Sequence, residues 1–339
     1  MRAVAVTRKA LPIDDPAALV DLELPDPGPP QGHDLLVRVQ AVSVNPRDMK
    51  SRMSMEASAE RPLVLGYDAS GVVEAVGPDC TLFRPGDAVI YAGVLDRPGS
   101  NAELQLVDER ITGRKPETLD HAAAASLPLT ALTAYEMLFD RLRLPRDAAG
   151  AGHVLLVIGG AGGVPSMAIQ LARVLTQITI VATASRPESA AWVRQCGAHH
   201  VVDHSQPLPP QVKALAPGPM PWIFSTHTDT ARWAEMATMI APQGAIGLID
   251  DPEPLDLRLL KFKSASVHWE AMFTRPMCRT ADMVRQHEIL NDVAALIDSG
   301  RLRPTGTQNF GAINAANLRR AHAVIEQGRT VGKIVLAGF

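Results

Sequence analysis

Cysteine is scarce in this chain: Cys80, Cys196 and Cys278 are the only three in 339 residues, far apart and without a C-x-x-C pair. That excludes a disulfide framework and suits a reducing compartment. Charge of either sign is nearly balanced, at a formal net −3, which leaves no electrostatic case for nucleic acid or an anionic membrane surface as partner. No apolar run reaches the roughly 18 residues of a membrane span, and residues 1–16 lack an apolar signal core. Cytoplasmic location is the expectation. Internal repeats and low-complexity tracts are missing, as are a nucleophile elbow, a Ser/His/Asp order and a catalytic carboxylate pair.

What is present is a chain too long for one comfortable core, so two domains are expected. Up to about residue 120 it is rich in short strands, Pro and Gly. LLVRVQAVSV (35–44) and GVVEAVG (71–77) read as strands punctuated by PDPGPPQG and RPGD, the pattern of a small β barrel or sandwich. Residues 119–144 read as helix, broken near Pro128. From His153 the pattern alternates. Strands are expected at 154–158, 179–185, 199–204, 221–229, 244–251 and 264–273, with helices at 187–197, 231–240 and 281–300. This is the pattern of a parallel, doubly wound sheet. A helix at 315–327 and a last strand, GKIVLAGF, follow; that strand is expected to return to the first domain.

The most informative stretch is HVLLVIGGAGGVPSMAIQLAR (153–173). A branched apolar strand runs into Gly159-Gly160-Ala161-Gly162-Gly163 and then into a helix-period pattern beginning near Val164. In that context glycines let the backbone approach a pyrophosphate, whose charge rests on free N–H groups at the helix N-terminus. The string departs from G-x-G-x-x-G at its sixth place, which is Pro165. Proline is tolerated in a first helical turn. It is larger than glycine, so looser helix–strand packing is expected there.

GYDASGVVEAVG (66–77), FRPGD, the glycine stretch, TASRPES (183–189) and the closing GKIVL resemble, in their order, the landmarks of the medium-chain dehydrogenase/reductase superfamily. DRPGSNAE (96–103), STHTD (225–229) and HWEAMFTR (268–275) are most similar to its bacterial "zinc-type alcohol dehydrogenase-like" members, within the zinc-free quinone-oxidoreductase branch. The resemblance covers essentially the whole chain. It implies an α/β protein with a GroES-like barrel domain (1–124 and 302–339), a Rossmann domain (125–301) and an active site in the cleft between them.

The same resemblance bears on metal. Where zinc alcohol dehydrogenases have a Cys three places before Asp, this chain has Asn45-Pro46-Arg47-Asp48. Where they have Gly-His-Glu it has Gly66-Tyr67-Asp68, and Leu129 stands at the third ligand position. The four-cysteine structural lobe is absent. His200 and His204 on one strand would stand about 13 Å apart, too far for a shared metal. No metal is expected.

The second strand of the alternating region ends Ala184-Ser185-Arg186, with no acid to bond a ribose 2′-hydroxyl. A guanidinium beside a hydroxyl suits a 2′-phosphate, which points to NADPH. Ser185 to Glu188 also has the spacing of a helix cap, and both readings can hold. By resemblance, further cofactor contacts fall on Thr130, Thr133, Gly160, Ala161, Gly162, Gly163, Val164, Thr226, His227, Leu248, Ile249, Phe273 and Lys333. Asn45, Tyr67 and Asp68 face the vacated metal position, with Asn45 or Tyr67 as donor to a developing oxyanion. The implied chemistry is metal-free hydride transfer from NADPH to a quinone or an α,β-unsaturated carbonyl. An alcohol or aldehyde dehydrogenase with an atypical metal site and a non-catalytic NADPH sensor stay open beside it. A homodimer, paired through residues 264–270, is the expected assembly.

Overall fold

The computed structural model of the chain describes residues 1–215 and 218–339. Two units form, Met1–Leu132 with Phe273–Phe339, and Thr133–Met272. The first begins with β1 (Arg2–Val6), β2 (Val20–Glu23) and the long β3 (Asp34–Val44), followed by helix α1 (Pro46–Ser54). Then come β4 (Leu63–Val64), β5 (Ala69–Val76), β6 (Ala88–Tyr91), β7 (Leu104–Asp108) and β8 (Thr112–Arg114). β3 is the hub, pairing antiparallel with β5 and β7. Its inward residues Leu35, Val37, Val39 and Val42 are buried in the core of this unit. Helix α2 (His121–Ala125) stops short of Pro128, which opens α3 (Pro128–Tyr135). The proline lies where its missing N–H costs nothing.

The second unit contains β9 (Val154–Ile158), α4 (Gly163–Leu175), β10 (Thr179–Thr183), α5 (Pro187–Gln195), β11 (His200–Val202), α6 (Leu208–Leu215), β12 (Trp222–Ser225), α7 (Thr230–Met239), β13 (Ala245–Leu248) and β14 (Ser266–Trp269). The strands form one parallel sheet in the order β11-β10-β9-β12-β13-β14, the doubly wound order of dinucleotide folds. All five residues of β9 are buried, as a central parallel strand requires. The sequence gives no hint of α6, because Pro209 and Pro210 look like a break; both lie in its first turn. The strands are shorter than the apolar runs that announce them: 264–273 contributes only Ser266–Trp269.

The chain then returns to the first unit through α8 (Thr274–Cys278), α9 (Arg285–Asp298), β15 (Gly306–Asn309), α10 (Ala315–Glu326) and β16 (Lys333–Ala337). β16 pairs antiparallel with β3, as expected of the last strand. The division between the units falls at 132/133 and 272/273, where the sequence suggests 124/125 and 301/302. The physical reason is α9: it packs on β8, and a Cβ at Gly113 would run into Leu290. Among the described residues no helix is long and apolar enough to cross a membrane.

Candidate cofactor and substrate sites

In the second unit β9 ends in a turn that only glycine can make. Gly159 has φ +81°, and a Cβ there would overlap Thr226 Oγ1. A Cβ on Gly160 would lie 2.7 Å from Val193 Cγ1 and 2.9 Å from the Thr183 carbonyl oxygen. Ala161 completes the turn, Gly162 is the N-cap of α4, and Gly163, Val164 and the buried Pro165 form its first turn. Proline therefore sits where the helix has N–H groups to spare. Thr183 holds the turn: its Oγ1 accepts the Gly159 N–H (3.0 Å) and its carbonyl accepts the Gly160 N–H (3.1 Å). Thr226 donates to the Ile158 carbonyl (3.0 Å). The result is a tight glycine cradle at the carboxyl ends of parallel strands, opening onto a helix N-terminus, which suits a dinucleotide pyrophosphate.

Beside it, Ser185 and Arg186 follow β10. The expected Ser185–Glu188 cap does not form. Arg186 is the N-cap residue of α5, and its backbone N–H donates to Ser189 Oγ (3.2 Å), so Ser185 is spared that duty. His204, just past β11, places Nδ1 3.2 Å from Thr183 Oγ1. Arg232 of α7 donates to the His204 carbonyl (2.8 Å). Burial, followed by the charge of Arg232, holds the His204 imidazole below its ordinary basicity; His227 and Arg186 add to the effect and Asp203 opposes it. The structure thus brings Ser185, Arg186, His204, His227 and Arg232 to one sheet end. His204 and Arg232 carry no motif of their own and only topology assembles them. Leu248 closes β13 in the core, with Ile249 after it. Asp250 accepts the Thr228 N–H (2.5 Å).

The first unit holds a buried polar network. Asp68 accepts on Oδ2 from Ser43 Oγ (2.6 Å), Asn45 Nδ2 (2.8 Å) and Lys333 Nζ (2.9 Å). Its Oδ1 accepts from the Leu129 N–H (2.7 Å). Lys333 spends its other two protons on the Val44 carbonyl (3.0 Å) and on Asn45 Oδ1. Asn45 opens α1, its own N–H donating to Asp48 Oδ2 (2.8 Å). Burial pushes the Asp48 carboxyl up to about 7, against the pull of the Asn45 N–H and the Lys333 charge. Tyr67 donates to Ser51 Oγ (2.9 Å), and burial raises its phenol above the usual range.

These contacts show where the expected site residues are engaged. The resemblance places Asp68 at the vacated metal position; here its two oxygens accept from four donors. The resemblance sends Lys333 to the cofactor; here all three of its protons stay inside the network. Tyr67 is a core ring stacked edge-on against Phe273, 5.5 Å between centroids. Phe273 itself caps α8 rather than ending a strand. Asn45 keeps one amide N–H without an acceptor among the described residues. Thr130 donates to the Leu127 carbonyl (2.9 Å), satisfying its own helix, and Thr133 is buried on the same helix.

The family model described as alcohol dehydrogenase GroES-like domain matches residues 31–117, and the one described as zinc-binding dehydrogenase matches residues 196–336. A "zinc-type alcohol dehydrogenase-like protein" of Staphylococcus aureus is 43% identical over 309 residues, 91% of either chain. The crystal structure of a putative zinc-dependent alcohol dehydrogenase from Rhizobium etli is 55% identical with a TM-score of 0.96, covering 100% of this chain and 98% of that one. A mycobacterial protein complexed with NADPH is 25% identical with a TM-score of 0.83, covering 99% and 100%.

The residues at the three ligand positions do not suit the zinc these names mention. The Asn45 amide, the Tyr67 phenol already bonded to Ser51 and the aliphatic Leu129 offer no thiolate or imidazole. Among the described residues no group of three His, Cys, Asp or Glu side chains could hold a metal ion. The glycine cradle, by contrast, fits the nicotinamide dinucleotide that the fold binds. The chain belongs to the medium-chain dehydrogenase/reductase superfamily, as an oxidoreductase that works with a nicotinamide cofactor.

Proposed function

We propose that this chain reduces quinones or α,β-unsaturated carbonyls with NADPH, without a metal. The observation that carries the reading is the Lys333 ammonium, held by Asp68 and by Asn45, the latter at a position where zinc relatives have a ligand. Without a Lewis acid, a plain ketone or alcohol is poorly activated. A quinone or conjugated alkene presents an electron-poor carbon that accepts hydride directly, and the nicotinamide supplies that hydride when bound. The unclaimed Asn45 N–H is the donor this reading assigns to the developing oxyanion, with the final proton drawn from water.

The phosphorylated dinucleotide is favoured by Ser185 and Arg186 at an acid-free strand end, and the mycobacterial neighbour's structure is complexed with NADPH. Arg186→Ala is expected to weaken NADPH binding about ten- to a hundredfold, the worth of a hydrogen bond to a charged group, and to leave NADH unchanged. Oxidation of NADPH by a simple quinone and a simple enone, with NADH in parallel, tests the whole reading. Saturable NADPH binding without turnover would favour a second reading, a non-catalytic NADPH-binding protein. The internal bonding of Asn45, Tyr67 and Asp68 is the observation on its side.

For the assembly we propose a homodimer through the open edge of β14. Trp269 on that strand is 57% exposed, and Phe262, seven residues before it in the chain, is 96% exposed. Light scattering should return twice 36.3 kDa, and a stable monomer would end the idea.

A further inference from the structure

We propose that His204 takes up a proton when a 2′-phosphate binds at this sheet end, so that discrimination between phosphorylated and unphosphorylated dinucleotides depends on pH. The inference rests on the NADPH reading and goes beyond it by naming how that site is regulated.

The geometry starts with Thr183. Its Oγ1 already accepts the Gly159 N–H, so its hydroxyl serves His204 Nδ1 as donor when the ring is neutral and as acceptor when it is charged. In both states Nε2 has no hydrogen-bond partner among the described residues. The charged or chargeable groups that act on the ring are Arg186 at the start of α5, Arg232 of α7, His227 after β12 and Asp203, its chain neighbour past β11. Arg232 is tied to Glu235 and to the His204 carbonyl. Three cationic or potentially cationic neighbours against one carboxylate make a second charge on the half-buried ring unfavourable while no anion is present. A phosphate dianion reverses that balance. It pairs with the guanidinium, takes a hydrogen bond from Nε2 and favours the imidazolium. An unphosphorylated ribose brings no charge, so it leaves the ring neutral. The proton is drawn from solvent, and no bond besides N–H is made or broken.

The test is titration calorimetry of the whole chain with adenosine 2′,5′-bisphosphate and with 5′-AMP, in buffers of different ionisation enthalpy. It is run at pH 7.5 and above, where the ligand phosphate, with a second pKa of about 6, is already dianionic. The bisphosphate should bind with uptake of up to about one proton and 5′-AMP with none. The affinity ratio of the two should fall with rising pH, toward about tenfold per unit. His204→Gln and His204→Asn should abolish the uptake and flatten the ratio, whereas His227→Gln should preserve both. Uptake that survives in the His204 variants, or is lost in His227→Gln, overturns the proposal. So does a wild type that prefers the bisphosphate without proton uptake, and there the NADPH reading stands. If wild type shows no preference and Arg186→Ala changes nothing, the NADPH reading itself has failed.

Discussion

Replacing Lys333 by methionine is expected to lower the free energy of unfolding by about 3–5 kcal/mol, the usual cost of removing one partner from a buried ion pair. Lys333 is 3% exposed and Asp68 is fully buried, so solvent cannot compensate either. Methionine keeps the stem's volume and removes three donated hydrogen bonds. The Asp68 carboxylate is then left with Ser43, Asn45 and the Leu129 N–H but no positive charge. Adding Asp68→Leu to Lys333→Met should recover part of the loss, because the orphaned charge goes and only neutral donors remain. Urea titrations of the four members of this cycle measure it. NADPH affinity of the folded Lys333→Met protein should be near that of wild type, since the ammonium is wholly engaged within its own network. A destabilisation under about 1 kcal/mol, or a loss of NADPH binding without one of stability, would mean that Lys333 points elsewhere.

The second large effect concerns acid. His322 on α10 is 1% exposed, and neither ring nitrogen has a hydrogen-bond partner. Burial, reinforced by the nearby Arg52 guanidinium, lowers its pKa from 6.5 to about 3. Arg52 is itself locked, donating to the Leu11 carbonyl and pairing with Glu326. Between those two pKa values the unfolded chain binds a proton that the folded chain refuses. Stability from this group is therefore intact above pH 6.5 and falls as pH is lowered toward 3, by about 2 kcal/mol at pH 5 and about 4 kcal/mol at pH 3. Asp48 and Glu270 act oppositely. Burial raises Asp48 to about 7; burial, then the Glu136 carboxylate, raise Glu270 to about 8. Those groups lose stability as pH rises from about 4, so the wild-type curve alone does not isolate His322. The difference between wild type and His322→Leu does. The variant should be no less stable at pH 7, because two unpaired nitrogens are replaced by apolar volume. It should gain on wild type progressively below pH 6.5. A difference that stays flat from pH 7 to pH 4 would show that His322 does not titrate as its burial demands.

Much of the second unit can be read directly from sequence. Five consecutive branched residues before a glycine run can only be a strand buried on both faces, and a turn with Gly159 at φ +81° tolerates no side chain. The Pro165 departure from the fingerprint costs α4 no hydrogen bond, because it lies in the first turn. Local signals of this kind also located Ser185, Arg186 and the last strand. They erred on extent, since apolar runs continue past the last hydrogen-bonded pair, and they missed α6, whose two prolines lie in its first turn.

Composition and motif thus determined the class of this protein, its doubly wound unit and its phosphate-friendly turn, because those depend on residues adjacent in the chain. Tertiary structure decided the roles. Asp68 and Lys333 are 265 positions apart, and nothing near either announces that they neutralise one another. Their pairing depends on β16 lying beside β3, and it gathers two residues expected at separate tasks into one buried polar network. His204 likewise acquires its cationic neighbours only through the parallel order of β10, β11 and β12 around β9. Charges that cancel or repel across a fold have no periodicity along the chain, so their consequences exist only once the strands are paired.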